Sequence, residues 1–229
     1  MTRDLREHLI STAARLIEQR GGAGIGVRDI AREAQVADGV LYNYFADKED
    51  LLANALLAHV GAVMTGLPAM PEPGAGTVAD NLASFIETGL DWLGRVAPAF
   101  AGMISQPGVL SRFHAMVGGD AAFGAPADDT QADQAGPAGG EDGQDAGEPR
   151  GQGLPALLAG YLRAEQRLGR IGAGADIDAA VVLIAGAVHG QVLPRVLLGS
   201  PAEPAAVPPG LALRLAHTML GGIGPGSGG

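Results

Sequence analysis

The sequence predicts an all-α protein with a three-helix N-terminal head (residues 1–47) and a larger helical domain behind it (residues 48–229). Apolar residues make up 47% of the 229-residue chain and aromatic residues only 4%, a composition rich in Ala, Leu and Gly that favours helices over a β-sandwich. Apolar residues recur at helical spacing along most of the chain, and no segment alternates with the two-residue period of a strand.

The strongest local pattern lies between Val27 and Leu52. An apolar stripe at helical spacing runs through Val27, Ile30, Ala31 and Ala34. The pattern stops at residues 35–38 and resumes as a second short helix, predicted to point Leu41, Tyr42 and Phe45 inward and Val40, Asn43 and Tyr44 outward. Two short helices that pack across a tight turn predict a helix-turn-helix, whose second helix enters the DNA major groove.

Helices are predicted on both sides of this motif. Residues 3–20 have one apolar face, and Gly21 and Gly22 follow, as is typical just past the end of a helix. Asp47 is predicted to cap the next helix, with Asp50 three residues later as an acidic counterpart of a capping box. That helix extends to about residue 66 and would connect the head to the larger domain.

The larger domain is predicted to be a series of helices broken by prolines and glycines. A long helix spans residues 78–96 and ends before Pro98, so residues 99–105 and 109–117 are predicted as two short helices. Residues 118–153 carry almost no large apolar side chain, which predicts a disordered acidic loop. Further helices are predicted at 154–171, at 177–198 with a bend near Pro194, and at 211–220.

Composition also excludes several classes of protein. The absence of cysteine excludes disulfides, thiol nucleophiles and cysteine-ligated zinc, and the five histidines lack the spacing of metal ligands, so no metal or cofactor is predicted. The N-terminus lacks the apolar segment of a signal peptide, and the longest apolar run, 179–188, is shorter than the roughly 20 residues of a membrane span. A soluble cytoplasmic protein is expected.

The formal charge of −10 is unevenly distributed. Residues 118–153 hold eight acids and one arginine and so account for −7 of it, while residues 1–60 hold nine acids and seven bases. The head is therefore not the basic domain typical of nucleic-acid binding, although a few well-placed bases can still contact phosphates.

Residues 4–60 resemble the DNA-binding head of the TetR family of bacterial transcriptional regulators. The resemblance rests on RLIEQRG, then VRDIAREAQVADGVLYNYF, then ADKEDLL, and LYNYF followed by DKEDLL is its most specific part. Two positions depart from the family pattern: Gly26 stands where a Thr or Ser usually opens the first motif helix, and Gln35 stands where the turn usually carries glycine. A helix-capping hydroxyl that would touch a phosphate is missing, and a left-handed conformation at Gln35 would be strained.

The resemblance implies a set of DNA-contacting residues on or beside the recognition helix: Arg28, Val40, Tyr42, Asn43, Tyr44 and Lys48. Asn43 could hydrogen-bond a base edge, for which adenine is the natural partner, and Val40 could meet a thymine methyl. Arg28 and Lys48 suit phosphates. For Tyr42 a phosphate contact and a place in the core are about equally expected, and Asp38 is expected to cap the recognition helix.

The resemblance also implies a small-molecule pocket among the helices of the larger domain, formed by some of its large side chains and one histidine: Phe85, Trp92, Met103, Phe113, Met116, Tyr161 and His189. For each residue alone, an ordinary place in the core is the commoner alternative.

The expected function is that of a non-enzymatic, ligand-responsive repressor that binds a palindromic operator as a homodimer. The helices at 177–198 and 210–222 would pair with their symmetry mates, because they are more apolar than one protomer could bury. Two alternatives remain: an all-helical small-molecule-binding protein with a fortuitous helix-turn-helix, and an interaction module without specific DNA binding.

Overall fold

A computed structural model describes residues 2–118, 153–198 and 208–223, and the regular structure in these ranges is α-helical, which confirms the predicted class. The helices are α1 (Thr2–Arg20), α2 (Val27–Glu33), α3 (Asp38–Leu41), α4 (Lys48–Thr65), α5 (Val78–Met103), α6 (Pro107–Met116), α7 (Leu154–Arg167), α8 (Ile177–Leu198) and α9 (Leu211–Ile223). The predicted acidic loop lies outside the described residues except for its end residues, 118 and 153.

Helices α1, α2 and α4 form as the sequence predicts, whereas α3 ends at Leu41, earlier than expected. Asp47 has extended backbone angles, and its side chain accepts a hydrogen bond from the Asp50 N–H at 2.8 Å, so the predicted cap of α4 is confirmed. The Asp50 carboxylate reaches back one residue further than a standard capping box and accepts from the Ala46 N–H at 3.0 Å. These two bonds occupy backbone donors that would otherwise be unpaired at the start of α4.

The predicted break at Pro98 is wrong, because α5 continues through this residue to Met103. A proline inside a helix removes one backbone hydrogen bond and costs about 3 kcal/mol. The residues after it are almost completely buried: Ala99 is 1% exposed and Met103 is 0% exposed. Burial of these side chains against the head offsets the cost of the proline, and sequence periodicity could not reveal that contact.

Two hydrophobic cores organise the described residues. The N-terminal core joins α1, α2, α3 and the first half of α4, and it also includes Ala99 and Met103 of α5 and Val109 and Phe113 of α6. The C-terminal core joins most of α5 with α7, α8 and α9. The N-terminal core therefore extends past residue 47, and α5 and α6 are packed directly onto the head.

Helix α8 is the most apolar helix of the fold, and much of it is not covered. One side packs on α5 and α7 through Ile177, Ile184 and Val188, whereas Val182 is 69% exposed and Leu198 is 88% exposed. Its length and composition alone would also allow it to cross a membrane, with only 22% of its most apolar window buried. An exposed apolar face of this kind needs a partner.

Candidate nucleic-acid interface and ligand cleft

The helix-turn-helix is held by a small buried seam between α2 and α3. Ile30 and Ala31 are fully buried, and Leu41 is 2% exposed. The turn is closed by the Val36 N–H, which donates to the Ala31 carbonyl oxygen at 2.9 Å. The small side chain of Ala31 lets the two helices approach closely.

Gln35 adopts the left-handed conformation in this turn, with φ of 58°, and it is the one non-glycine residue with positive φ in the part of the chain that the structure describes. The strain expected at this position is thus present. A side chain in this conformation costs about 1–2 kcal/mol relative to glycine, which has no Cβ to clash with the backbone.

We expect Gln35→Gly to raise the free energy of unfolding by about 0.5–1 kcal/mol, because the relief of strain exceeds the greater entropy of the unfolded glycine chain. Urea unfolding followed by circular dichroism would measure the change. Gln35→Ala is the matched control, since it removes the exposed amide but keeps the Cβ. Equal stability of the alanine and glycine variants would show that the turn is not strained.

The start of α2 lacks a side-chain cap, as expected from Gly26. Gly26 has extended backbone angles (φ −108°, ψ 160°), and no side-chain cap bond is made there. Asp29 compensates in part, because its Oδ2 accepts from the Gly26 N–H at 3.1 Å. The Gly26 N–H is therefore bonded by a side chain in the first turn of α2, and the capping position itself contributes no side-chain bond. Gly26 also has no hydroxyl that could contact a phosphate.

The predicted DNA-contacting residues lie around this seam with different exposure. The Arg28 side chain is 91% exposed, Tyr42 is 60% exposed, and Asn43 is also exposed. Val40, Tyr44 and Lys48 are half-buried, and Tyr44 packs against the N-terminal core. The prediction that Tyr42 points inward is wrong, because α3 ends at Leu41. In the turn after α3, the side chain of Tyr44 packs against the core and that of Tyr42 does not.

Asp38 does not cap α3, contrary to expectation. Ala37 occupies the capping position, with extended backbone angles, and Asp38 is the first residue of the helix. Its carboxylate instead lies 3.6 Å from the Arg28 guanidinium, in a pair that is open to solvent on both sides. A surface pair of this kind is weak, so Arg28 can exchange Asp38 for another anion at little cost.

A charged clamp joins the head to α6. The Arg112 guanidinium donates to both carboxylate oxygens of Asp47, at 2.8 and 2.7 Å, and also lies 4.0 Å from Glu49. This bidentate bond, followed by the bond from the Asp50 N–H, holds the pKa of Asp47 below its ordinary value. The clamp therefore contributes its full stabilisation at pH values above the ordinary pKa of an aspartate. This contribution is lost as the pH falls from that value through the lowered pKa of Asp47.

A second junction lies between the turn after α1 and the end of α5. Gly21 and Gly22 have positive φ (64° and 74°), which glycine adopts without strain. A Cβ at Gly102 would overlap the Gly21 carbonyl oxygen and lie 2.6 Å from the Ala23 nitrogen. Backbone therefore packs on backbone here, and Gly102 cannot take a larger residue without moving the head.

A half-open cleft with a cavity volume of about 60 Å³ lies in the C-terminal core between α5, α7 and α8. Three of the residues predicted to form a pocket line it: Phe85, Trp92 and His189. The other walls are aliphatic side chains, among them Leu158 and Val188. The apolar lining is typical of a small-molecule site, whereas the cavity volume lies well below the roughly 300–1,000 Å³ of such sites.

The remaining predicted pocket residues lie elsewhere. Met103 and Phe113 belong to the N-terminal core, and Met116 is 40% exposed at the end of α6. Tyr161 lies behind the cleft, where its ring contacts Phe85 with centroids 5.0 Å apart. Burial of its hydroxyl, near Glu165, raises the pKa of Tyr161 to about 12, so it stays neutral at physiological pH.

Residues 9–55, which contain the whole helix-turn-helix and the clamped start of α4, match the family of bacterial regulatory proteins known as the tetR family. The head of the chain is thus similar to the DNA-binding heads of the TetR family. The transcriptional repressor NemR of Escherichia coli K12 is 32% identical to this chain over 88 residues, which cover 38% of the chain and 44% of NemR. The chain thus matches less than half the length of this curated relative.

Solved structures of transcriptional regulators resemble this chain over nearly its full length. The reduced form of E. coli NemR has a TM-score of 0.56 with 18% identity, and the alignment covers 96% of this chain and 97% of that one. The regulator FadR from Bacillus subtilis, solved in complex with stearoyl-CoA, has a TM-score of 0.53 with 18% identity and covers 95% of this chain and 96% of that one. At this identity the similarity establishes the fold alone.

Sequence reasoning missed Arg112 and Gly102. Arg112 is the one lysine or arginine between residues 96 and 149, a signal that could have singled it out. Its partner is 65 residues away along the chain. Gly102 carries no sequence signal of its own, because nothing near it in the chain indicates the close approach of the turn after α1.

Proposed function

We propose that this protein is a cytoplasmic, ligand-responsive transcriptional repressor that binds a palindromic DNA operator as a homodimer. The observation that carries the proposal is the geometry within residues 9–55, where Arg28, Tyr42 and Asn43 are exposed around the buried seam of a TetR-type helix-turn-helix. Within residues 2–118, 153–198 and 208–223, no comparable arrangement favours either alternative, the fortuitous motif or the interaction module.

The proposed contacts follow from exposure and chemistry. Asn43 reads a base edge, with its amide paired to adenine, and Val40 meets a thymine methyl. Arg28 leaves Asp38 for a phosphate, and Lys48, at the start of α4, binds a second phosphate together with the helix N-terminus. Tyr42 and Tyr44 donate their hydroxyls to phosphate oxygens. Because the head has no basic surplus, affinity rests on these few residues.

The proposal is tested by binding of the purified protein to the DNA upstream of its own gene, over a series of salt concentrations. We expect a specific complex whose affinity falls as salt rises, with a shallow slope because few phosphates are contacted. A random duplex of equal length is the control. Equal binding of the two duplexes, or no binding to either, would contradict the proposal.

Asn43→Ala is expected to lower the affinity for the operator by about 1–3 kcal/mol and to relax sequence preference at one base position in each half-site. Competition with operators mutated base by base would measure both effects. Glu87→Ala, an exposed change on α5, should leave binding unchanged. If Asn43→Ala weakened binding equally for every sequence, the residue would contact the DNA backbone instead of a base.

The dimer is proposed to form through residues 177–198 and 210–222. The uncovered face of α8 carries Val182, Leu183 and Leu197, which are 57–69% exposed, and Leu213 of α9 is 40% exposed. Gly186 and Gly190 of α8, which lie between Leu183 and Leu197, are open to solvent, so a partner helix could approach the backbone closely. Two such protomers would bury an apolar bundle and hold two heads at a fixed spacing.

Ligand response is proposed to reach the head through its two junctions. α5 lines the cleft with Phe85 and Trp92 and ends at Gly102 against the turn after α1, while α6 holds the start of α4 through Arg112. A ligand that prefers one arrangement of α5 and α6 would thus favour one position of α4 and one spacing of the heads. A ligand bound equally well in both arrangements would change nothing.

A further inference from the structure

One residue of the cleft wall, Trp92, carries an unsatisfied hydrogen-bond donor. The Trp92 Nε1–H is buried and has no acceptor among the described residues, although Trp92 itself lines the cleft. Buried donors are nearly always paired, because an unpaired one loses its bond to water and gains nothing in return. A polar group in an otherwise apolar wall is the usual means by which a binding site fixes the orientation of its ligand.

The cleft also lacks acidic side chains, lysine and arginine among the described residues that line it. His189 is the other polar residue at the cleft, and its Nδ1 lies 2.6 Å from the Ala185 carbonyl oxygen, to which it donates. In the neutral ring this bond leaves Nε2 as an acceptor. A carboxylate or phosphate inside the cleft would lose its hydration, and no lysine or arginine of the lining would compensate for that loss.

From these observations we propose that the ligand is a neutral, mainly apolar molecule with a carbonyl-type oxygen that accepts a hydrogen bond from Trp92 Nε1. The proposal rests on the proposed function, since it concerns the same ligand site, and it narrows the chemistry of the ligand. A ligand with an anionic portion must keep that portion outside the cleft. Because the indole nitrogen is sealed from solvent, the cleft opens slightly around Trp92 when the ligand binds.

Trp92 is the single tryptophan of the chain, so the indole N–H gives one resolved signal in a ¹H–¹⁵N spectrum of the full-length protein. Three probes of nearly equal shape separate the possibilities: acetophenone has the acceptor, α-methylstyrene has a CH₂ in its place, and benzoate carries a charge. We expect acetophenone to move the indole N–H signal downfield, α-methylstyrene to bind without that downfield shift, and benzoate not to bind.

A comparison of one protein variant with two ligands isolates the hydrogen bond. Trp92→Phe keeps an aromatic wall but removes the donor, and it should lower the affinity for acetophenone about three- to tenfold more than the affinity for α-methylstyrene. Ligand-detected NMR measures both affinities. The spectra of the unsubstituted protein provide an independent test if the variant is unstable.

Several results would overturn the proposal: equal losses for the two neutral probes in Trp92→Phe, an indole signal that does not move when acetophenone binds, binding of benzoate, or no binding of either neutral probe up to its solubility. None of these depends on DNA. If they occur while the protein still binds its operator specifically, the ligand class is wrong and the regulator proposal stands.

Discussion

Gly102→Ala is expected to destabilise the protein by about 1–3 kcal/mol and to displace the head from the helices behind it. The added Cβ would overlap the Gly21 carbonyl oxygen and crowd the Ala23 nitrogen. Both are backbone atoms, which cannot rotate away as a side chain can, so the strain of overpacking must be relieved by movement of the turn after α1. Urea unfolding measures the stability, and the operator titration measures the effect on DNA binding.

The same helix offers a matched control. Gly94 lies on α5 two turns before Gly102, and a Cβ there would meet no atom within 4 Å. Gly94→Ala should therefore stabilise the helix by about 0.5–1 kcal/mol, through its better helix propensity. The two alanine variants are thus expected to change stability in opposite directions. If both were stabilising, the close approach of α5 to the head would not exist in solution.

Val182→Asp is expected to convert the dimer into a monomer of 23.0 kDa and to weaken operator binding about a hundredfold or more. The aspartate would be buried without a partner within the apolar face that α8 is proposed to bury against its symmetry mate. Two tethered heads bind two half-sites far more tightly than one head binds one. Analytical ultracentrifugation measures the mass, and the operator titration measures the affinity.

Ile104→Asp is the control for this change, since Ile104 and Val182 are both 69% exposed but Ile104 lies at the end of α5, away from α8 and α9. The Ile104→Asp variant should remain a dimer, with a measured mass twice that of one chain. A dimeric Val182→Asp variant would place the interface elsewhere. Dissociation of both variants would mean that general loss of apolar surface, rather than one face, controls assembly.

Most of the helices could be predicted because their signals are local. Capping at Asp47, the glycines after residue 20 and the apolar stripe of α2 act within one or two turns, so they can be recognised without knowledge of the fold. The strain at Gln35 was expected from the resemblance to the TetR family, whose turn usually carries glycine at this position. The length of α5 was not predictable, because burial of Met103 against the head outweighs the local effect of Pro98.

The candidate sites divide in the same way. In the head, the helix-turn-helix pattern fixes which residues face outward, so the sequence alone placed Arg28 and Asn43 on an exposed surface. The exposure of Tyr42 could not be predicted, because it depends on where α3 ends. In the cleft, large side chains from three helices were candidates, and composition could not separate those that line it, such as Trp92, from those that fill the core beside it, such as Phe113.

The sequence by itself determined that the chain is all-α, that residues 27–52 form a helix-turn-helix followed by a capped helix, and that α8 is too apolar for one protomer to cover. Tertiary structure alone decided that Arg112 clamps Asp47 and that Gly102 packs against Gly21. The physical reason is range: periodicity, caps and turns are set by neighbours within a few residues, whereas these junctions join segments 65 and 81 residues apart, and only the folded chain brings them into contact.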